Sequence, residues 1–166
     1  MPEAVRGMLR LGRQSFSLGS AQKRLLAALQ THPQIADRVE RLKSIPGVGD
    51  VTALTWVLEI GPVERFSSIR KAWSYCGLTA GQQESGETVK RMPLSKLRNH
   101  HLQTVLIEAA KLAPRWNPIL RELSEREKER GHKNRATVAV ARKMVSYLMA
   151  VDKRERRFEL ELEKAA

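Results

Sequence analysis

The stretch IPGVGDVTALTWVLEIG, Ile45 to Gly61, leaves the chain few ways to fold. One proline and two glycines stand directly ahead of an apolar run of helical length. Proline fixes its own φ, and glycine reaches backbone conformations closed to other residues. The chain is therefore predicted to turn sharply at Pro46–Gly49 and enter a helix over Asp50–Ile60. Periodicity aligns Val51, Leu54, Thr55 and Leu58 along one face. Asp50 is available as the cap, and Gly61-Pro62 stops the helix.

Two readings fit this corner. In the first it is an αα-corner, and the glycines only satisfy the turn. In the second it is a helix-hairpin-helix, spelled by Leu42, Ile45, Gly47, Val48, Gly49 and Ala53. Gly47 and Gly49 then let the backbone approach a DNA phosphate, and amides left unpaired at the helix N-terminus donate to it, aided by the helix dipole. Val48 pins the hairpin into the core, and the small Ala53 lets the two helices approach. The carboxylate of Asp50 opposes an anion site. Any such contact is blind to base sequence.

Charge tilts the choice toward the phosphate. The 166 residues carry 30 Lys+Arg against 18 Asp+Glu, a net charge of +12, and a pI near 10.4. That excess favours polyanions, nucleic acid first among them. Three Trp, two Tyr and three Phe are too few for a surface that stacks single-stranded bases. The lone Cys76 excludes an internal disulfide and a multi-cysteine zinc site, and reads as a small core residue. The N-terminal MPEAVRGMLRLGRQSFSLG lacks an uninterrupted apolar segment, so no signal peptide is expected. Ala136–Val151 is apolar, but Arg142, Lys143 and Ser146 break it and it is short of a membrane span. The chain reads as cytoplasmic, with no membrane partner.

Helical texture runs almost throughout, and the expected fold class is all-α. AQKRLLAALQ and IADRVERLK read as two short helices around Thr31-His32-Pro33, with the proline in the first turn of the second. SSIRKAWSYCGL starts another helix, with a serine to cap it. Ser95 reads as the N-cap of a helix to about Ala113. Trp116-Asn117-Pro118 opens a charged helix that Gly131 ends, its Glu122 and Arg126 spaced for a solvated face. KNRATVAVARKMVSYLMAVDKRERR reads as the most buried helix, and the tail FELELEKAA extends it or frays. The expected division is a helical connector over 1–41 where dimerisation can occur, a compact domain over 42–151 and a charged tail over 152–166.

Between Leu78 and Leu94 the pattern lapses into a loop or a short hairpin, long enough to suggest a function. Ser85-Gly86 is a common turn dipeptide. From Thr88 to His101, however, Lys90, Arg91, Lys96 and Arg98 stand without an acidic residue, a local charge of +4. Such cations stabilise the charge that builds on phosphoryl oxygens when a hydroxyl attacks phosphorus. The hydroxyl also needs a base, and Glu84, Glu87, His100 and His101 are the candidates nearest in sequence. His100-His101 reads as a partly buried helix start rather than a metal pair. On the final helix, Lys133, Arg135, Arg142 and Lys143 form a second basic set suited to tracking phosphates.

Taken in order, IPGVGDVTA…LEIG, ERFSSIRKAWSYCGLT, ESG, LSK..N..L…LIEAA and KNRATVAVARKMVSYL resemble the C-terminal domain of the DEDD insertion-sequence transposases guided by a bridge RNA. The resemblance covers roughly Leu42 to Val151. It implies a DNA recombinase in which Ser85 is the nucleophile that joins a DNA end covalently during strand exchange. It also implies a guide RNA, a homo-oligomer acting at the nucleoid, and a separate RuvC-like domain whose four acidic residues bind metal.

The sequence departs from the family pattern in three places. Leu97-Arg98 stand before Asn99 where relatives tend to have a small residue, and Ala80 follows GLT where proline is frequent. No RuvC-like segment is recognisable either: Asp37, Asp50 and Asp152 are the only aspartates, and none sits on an apolar strand. No metal site is therefore expected in this chain, and Mg²⁺ belongs to a RuvC-like domain in the same or another chain. An excised domain, a truncated product and half of a split enzyme all fit. So does a simpler alternative, a sequence-nonspecific helix-hairpin-helix DNA-binding module without catalysis.

Overall fold

A computed structural model describes Arg24 and residues 33–85, 88–94, 98–131 and 133–159. The chain divides into two units, Met1–Asp37 and Arg38–Ala166. The segment AQKRLLAALQ lies outside the described residues apart from Arg24, which is helical.

Helix α1 (Pro33–Lys43) starts at Pro33, as its missing N–H allows, and a six-residue turn leads into α2 (Asp50–Ile60). Gly61, at φ 64°, ends α2. A 3₁₀ turn, Val63–Arg65, precedes α3 (Ile69–Tyr75), whose cap is Ser68, its side chain accepting from the Lys71 N–H. Strands β1 (Ala80–Ser85) and β2 (Thr88–Leu94) pair antiparallel as a two-stranded ribbon. Helix α4 (His100–Leu112) follows, then a 3₁₀ turn at Ala113–Arg115, α5 (Pro118–Glu129) and α6 (Lys133–Arg154). Asn117 caps α5 by accepting from the Leu120 N–H at 3.2 Å, and Gly131, at φ 88°, separates α5 from α6.

The framework is all-α. Its core is built from helices and the turns between them, and α6 is the central element. Ala136, Val140, Ala141, Met144, Val145, Leu148 and Val151 of α6 are buried, and this face packs on α3, α4 and α5. Burying each large side chain contributes about 1.5–3 kcal/mol relative to exposure. Cys76 is fully buried, and burial pushes its thiol up to about 12. No described helix is long and apolar enough to cross a membrane.

A polar knot joins three helices. Arg38 on α1 donates from Nε to Asp152 Oδ1 at 2.6 Å and from Nη2 to Asp152 Oδ2 at 2.5 Å. The same Nη2 donates to the Gly61 carbonyl at 2.9 Å, and Trp56 Nε1 donates to Asp152 Oδ2 at 2.9 Å. The Asp152 side chain is thus buried with donors on both oxygens, which is what burial of a charge requires.

Several sequence expectations change. The α2 face chosen by periodicity is not the buried one: Val51 and Leu58 are 45% and 53% exposed, while Ala53, Trp56, Val57 and Ile60 are buried with Leu54. This helix is apolar nearly all round, so periodicity cannot choose its inner face. Asp50 is the first helical residue, and the cap position belongs to Gly49. Helix α4 begins at His100, because Asn99 accepts from the Leu102 N–H at 3.0 Å and so provides the cap assigned to Ser95. His100 and His101 are both exposed, since Leu102 and Leu106 supply the inward face of α4.

Candidate nucleic-acid interface

The turn between α1 and α2 follows from its residues. Val48 N–H donates to the Ile45 carbonyl at 3.0 Å, closing a four-residue turn with Pro46 second and Gly47 third. Gly47 has φ 94°, so this is the geometry in which proline and then glycine are favoured. Gly47 is fixed a second time by packing: a Cβ there would lie 2.6 Å from Ala113 Cβ and 2.8 Å from Ala113 Cα. Val48 and Ile45 are buried, pinning the turn as expected.

Gly49 is different. Its φ of −99° and ψ of −179° suit any residue, and a Cβ would meet nothing within 4 Å. No side chain caps α2 at this position. The first-turn amides of α2 therefore open at a site where the fold itself does not demand glycine. Asp50 beside them lies 2.9 Å from Lys43 Nζ, which offsets its charge. Lys43 is shared with Glu40 at 2.8 Å, and the hydrogen bonds to Glu40 and then Asp50 hold its ammonium above the usual range. Next to this turn is an open, mainly apolar cleft of about 600 Å³. Val51, Leu112 and Trp116 on its wall are 45%, 44% and 58% exposed.

The ribbon forms the second feature. Its register places Ser85 opposite Thr88, Glu84 opposite Val89, Gln83 opposite Lys90 and Gln82 opposite Arg91, with an irregularity between Ala80 and Gln82. Ser85 is thus the last residue of β1, next to the connection between the strands, and Lys90 and Arg91 stand on β2. Lys96 and Glu87 lie outside the described residues.

The base of the ribbon is held firmly. Gln103 Nε2 donates to the Gly77 carbonyl at 2.7 Å, and Arg142 Nε donates to the Leu78 carbonyl at 2.7 Å. Asn99 N–H donates to the Tyr75 carbonyl at 2.9 Å. The stem of Arg98 lies so close that a Cβ on Gly77 would be 2.5 Å from Arg98 Cδ. Asn99 Nδ2 also donates to Glu59 Oε2 at 2.7 Å, and Tyr75 OH donates to the Glu59 carbonyl at 2.9 Å. Helix α2 is therefore a strut. The glycine corner is at its N-terminus, and Glu59 near its C-terminus supports the ribbon base, with 11 residues between its ends, or roughly 16 Å.

The basic residues of α6 divide by role. Lys133 and Arg135 are exposed in its first turn; Arg135 also faces Glu127 at 3.3 Å. Arg142 is half-buried: besides holding Leu78, it stacks its guanidinium 5.9 Å from the Trp73 ring centre, while Trp73 Nε1 donates to its carbonyl at 3.0 Å. Burial, and then the charge of Arg135, lower its affinity for its proton. Lys143 is exposed, with Nζ 5.3 Å from the Tyr147 ring centre. Sequence reasoning missed Gln103, Asn99 and Glu59 as supports of the ribbon. Only Asn99 had a visible signal, as a capping residue ahead of an apolar-periodic stretch. Among the described residues no three His, Cys, Asp or Glu side chains gather as a metal would need.

The described residues thus define a basic, mainly helical domain with a helix N-terminus left uncapped at a glycine corner and a serine at the end of a two-stranded ribbon. Residues 39–125, just over half of the chain, match the model of the transposase IS116/IS110/IS902 family. The chain belongs to that family. It is 35% identical over 86 residues to a putative transposase, y4qE, of Sinorhizobium fredii, covering 52% of this chain and 22% of that protein. It is 31% identical over 122 residues to the transposase for insertion sequence element IS1111A of Coxiella burnetii, covering 68% and 32%. A third relative, the transposase for IS1328 of Yersinia enterocolitica, is 26% identical over 111 residues. The chain spans between 22% and 33% of the length of these three relatives.

Proposed function

We propose that the chain acts in DNA transposition as the DNA-handling, serine-bearing part of an insertion-sequence transposase. The observation that carries this reading is the contrast between the two glycines. The fold demands glycine at position 47, whereas at position 49 it leaves empty space over uncapped amides. A backbone phosphate fits that space, with the amides donating and the dipole of α2 adding to the attraction. Gly47, Val48 and Gly49 then form a helix-hairpin-helix grip that reads no base.

Ser85 is the nucleophile in this reading. Its hydroxyl gives up its proton as it attacks a DNA phosphorus; the new serine O–P bond forms as one bond from phosphorus to a deoxyribose oxygen breaks, and that oxygen takes up a proton in turn. The number of phosphodiester bonds is conserved, so the DNA end is stored for rejoining. Lys90, Arg91, Lys96 and Arg98 stabilise the charge on the phosphoryl oxygens. Lys133, Arg135 and Lys143 follow the backbone, and Arg142 holds the ribbon in place. A RuvC-like domain supplies Mg²⁺ chemistry from elsewhere, with guide RNA and further copies of the chain completing the assembly.

Covalent trapping tests this. Nicked duplex DNA carrying the element's ends is incubated with guide RNA and wild-type protein or Ser85→Ala, with and without a separately supplied RuvC-like domain. A protein–DNA adduct that vanishes in Ser85→Ala is the expected result. Salt-sensitive DNA binding with no adduct under any condition would leave the alternative, a binding module without chemistry.

A further inference from the structure

The end of α6 turns back onto the glycine corner. The helix stops at Arg154, and Glu155 takes a left-handed φ of 51°. Phe158 N–H then donates to Ser44 Oγ at 2.7 Å, and the Phe158 ring rests on that of Tyr147 with centroids 4.7 Å apart. Ser44 Oγ itself donates to the Arg41 carbonyl at 2.6 Å. Ser44 opens the turn that carries Gly47 and Gly49, so the segment Lys153–Phe158, the last two residues of α6 and the four that follow, forms a strap that ends at the start of the corner.

The strap is strongly basic. Lys153, Arg154, Arg156 and Arg157 are all exposed; four cations against the single carboxylate of Glu155 leave +3 over these five residues. Lys143, over the Tyr147 ring that Phe158 also covers, adds a further cation to the same neighbourhood. Elsewhere Lys43, Lys111, Arg130 and Arg135 each lie within 3.3 Å of a carboxylate. Among the described residues, none of the strap's four cations has such a partner. Like charges held together without counter-charge cost energy, and a polyanion removes that cost. Because both ends of the strap are anchored, little chain entropy is lost when it meets a ligand.

We infer that the strap Lys153–Phe158 is a second phosphate-contact surface, which grips the backbone of the same duplex DNA that the corner holds, with Phe158 as its pin. The inference rests on the reading of the corner as a phosphate grip.

The test uses the full chain, a labelled DNA duplex and a series of salt concentrations. Arg156→Gln/Arg157→Gln is expected to weaken binding about ten- to thirty-fold near physiological salt, and to flatten the slope of log K against log salt by about 2. Phe158→Ala, which keeps every charge, is expected to weaken binding several-fold. Thermal melts verify that both variants fold. Gly49→Asp serves as the corner control. If the double variant keeps wild-type affinity and slope while Gly49→Asp binds weakly, the strap is refuted and the corner reading stands. Wild-type protein without salt-dependent duplex binding refutes the corner reading and the strap with it. Wild-type affinity in Phe158→Ala removes the pin. A loss confined to an RNA duplex or to phosphatidylserine vesicles assigns the strap to another polyanion and overturns the proposal.

Discussion

Gly47, at the corner before α2, packs so closely on Ala113, in the turn that follows α4, that a Cβ on the glycine would lie 2.6 Å from Ala113 Cβ and 2.8 Å from its Cα. The contact fixes the corner on the domain body and separates the roles of two glycines that look alike in sequence. Gly47→Ala combines a left-handed φ with a forced clash. It is expected to cost about 2–4 kcal/mol, the sum of backbone strain and overpacking. Gly49→Ala changes neither, and is expected to cost no more than about 1 kcal/mol while weakening DNA binding, since a methyl group then occupies the open space. Urea unfolding of the two variants, together with duplex binding by Gly49→Ala, checks the pair. Equal stability losses would show that Gly49 is structural too.

Arg142 illustrates a cation that serves the fold. Its Nε bond to the Leu78 carbonyl and its stack on Trp73 fasten the ribbon base. Arg142→Ala is expected to cost about 1.5–3 kcal/mol, the range for a hydrogen bond from a charged group. Amide exchange over residues 80–94 should accelerate as the base loosens. Lys143→Ala, one residue away, should leave exchange unchanged and reduce only the salt dependence of DNA binding. Hydrogen exchange read by mass spectrometry separates the two roles.

Much of this architecture was legible in the sequence. Pro33, Gly61, Ser68, Asn117 and Gly131 act where local chemistry says they should, because caps and breakers depend on neighbours a few residues away. The inner face of α2 was not legible. Val51 and Leu58 are as apolar as Val57 and Ile60, and only tertiary packing sorts them. The supports of the ribbon were hidden for a similar reason: Gln103 and Gly77 are 26 residues apart, and Arg142 and Leu78 are 64 apart. The strap was not legible: residues 155–157 read as a continuation of α6, which stops at Arg154, and Phe158 reads as the start of a tail that extends the helix or frays, since nothing local announces a bond from Phe158 to Ser44, 114 residues earlier.

Cys76 gives the protein a titration signature. Burial raises its thiol from 9.0 to about 12, so between these values the unfolded chain releases a proton that the folded chain keeps. The contribution is fully present below pH 9 and is lost as pH rises toward 12. Wild-type protein is expected to lose about 1 kcal/mol from this source between pH 8.5 and 10. Cys76→Ala will be less stable at neutral pH through lost packing, yet flatter over that interval. Parallel urea titrations of the two proteins at each pH isolate the difference, because the many lysines titrate alike in both. Parallel curves would mean that the thiol ionises in the folded state.

Glu155 is the one non-glycine among the described residues with a positive φ, 51°, and it sits in the strap directly after the end of α6. A left-handed conformation costs a side-chain-bearing residue about 1–2 kcal/mol, and glycine is the usual occupant of this position after a helix. Part of that gain returns as the greater freedom of glycine in the unfolded chain. Glu155→Gly is therefore expected to stabilise the protein by about 0.5–1 kcal/mol, and it also removes the carboxylate from among Arg154, Arg156 and Arg157. If the strap meets DNA, affinity should rise at low salt in the same variant. Urea unfolding and duplex binding together decide the matter: higher stability with unchanged affinity would place the strap away from the DNA, and a loss of stability would mean that the Glu155 side chain itself holds the turn.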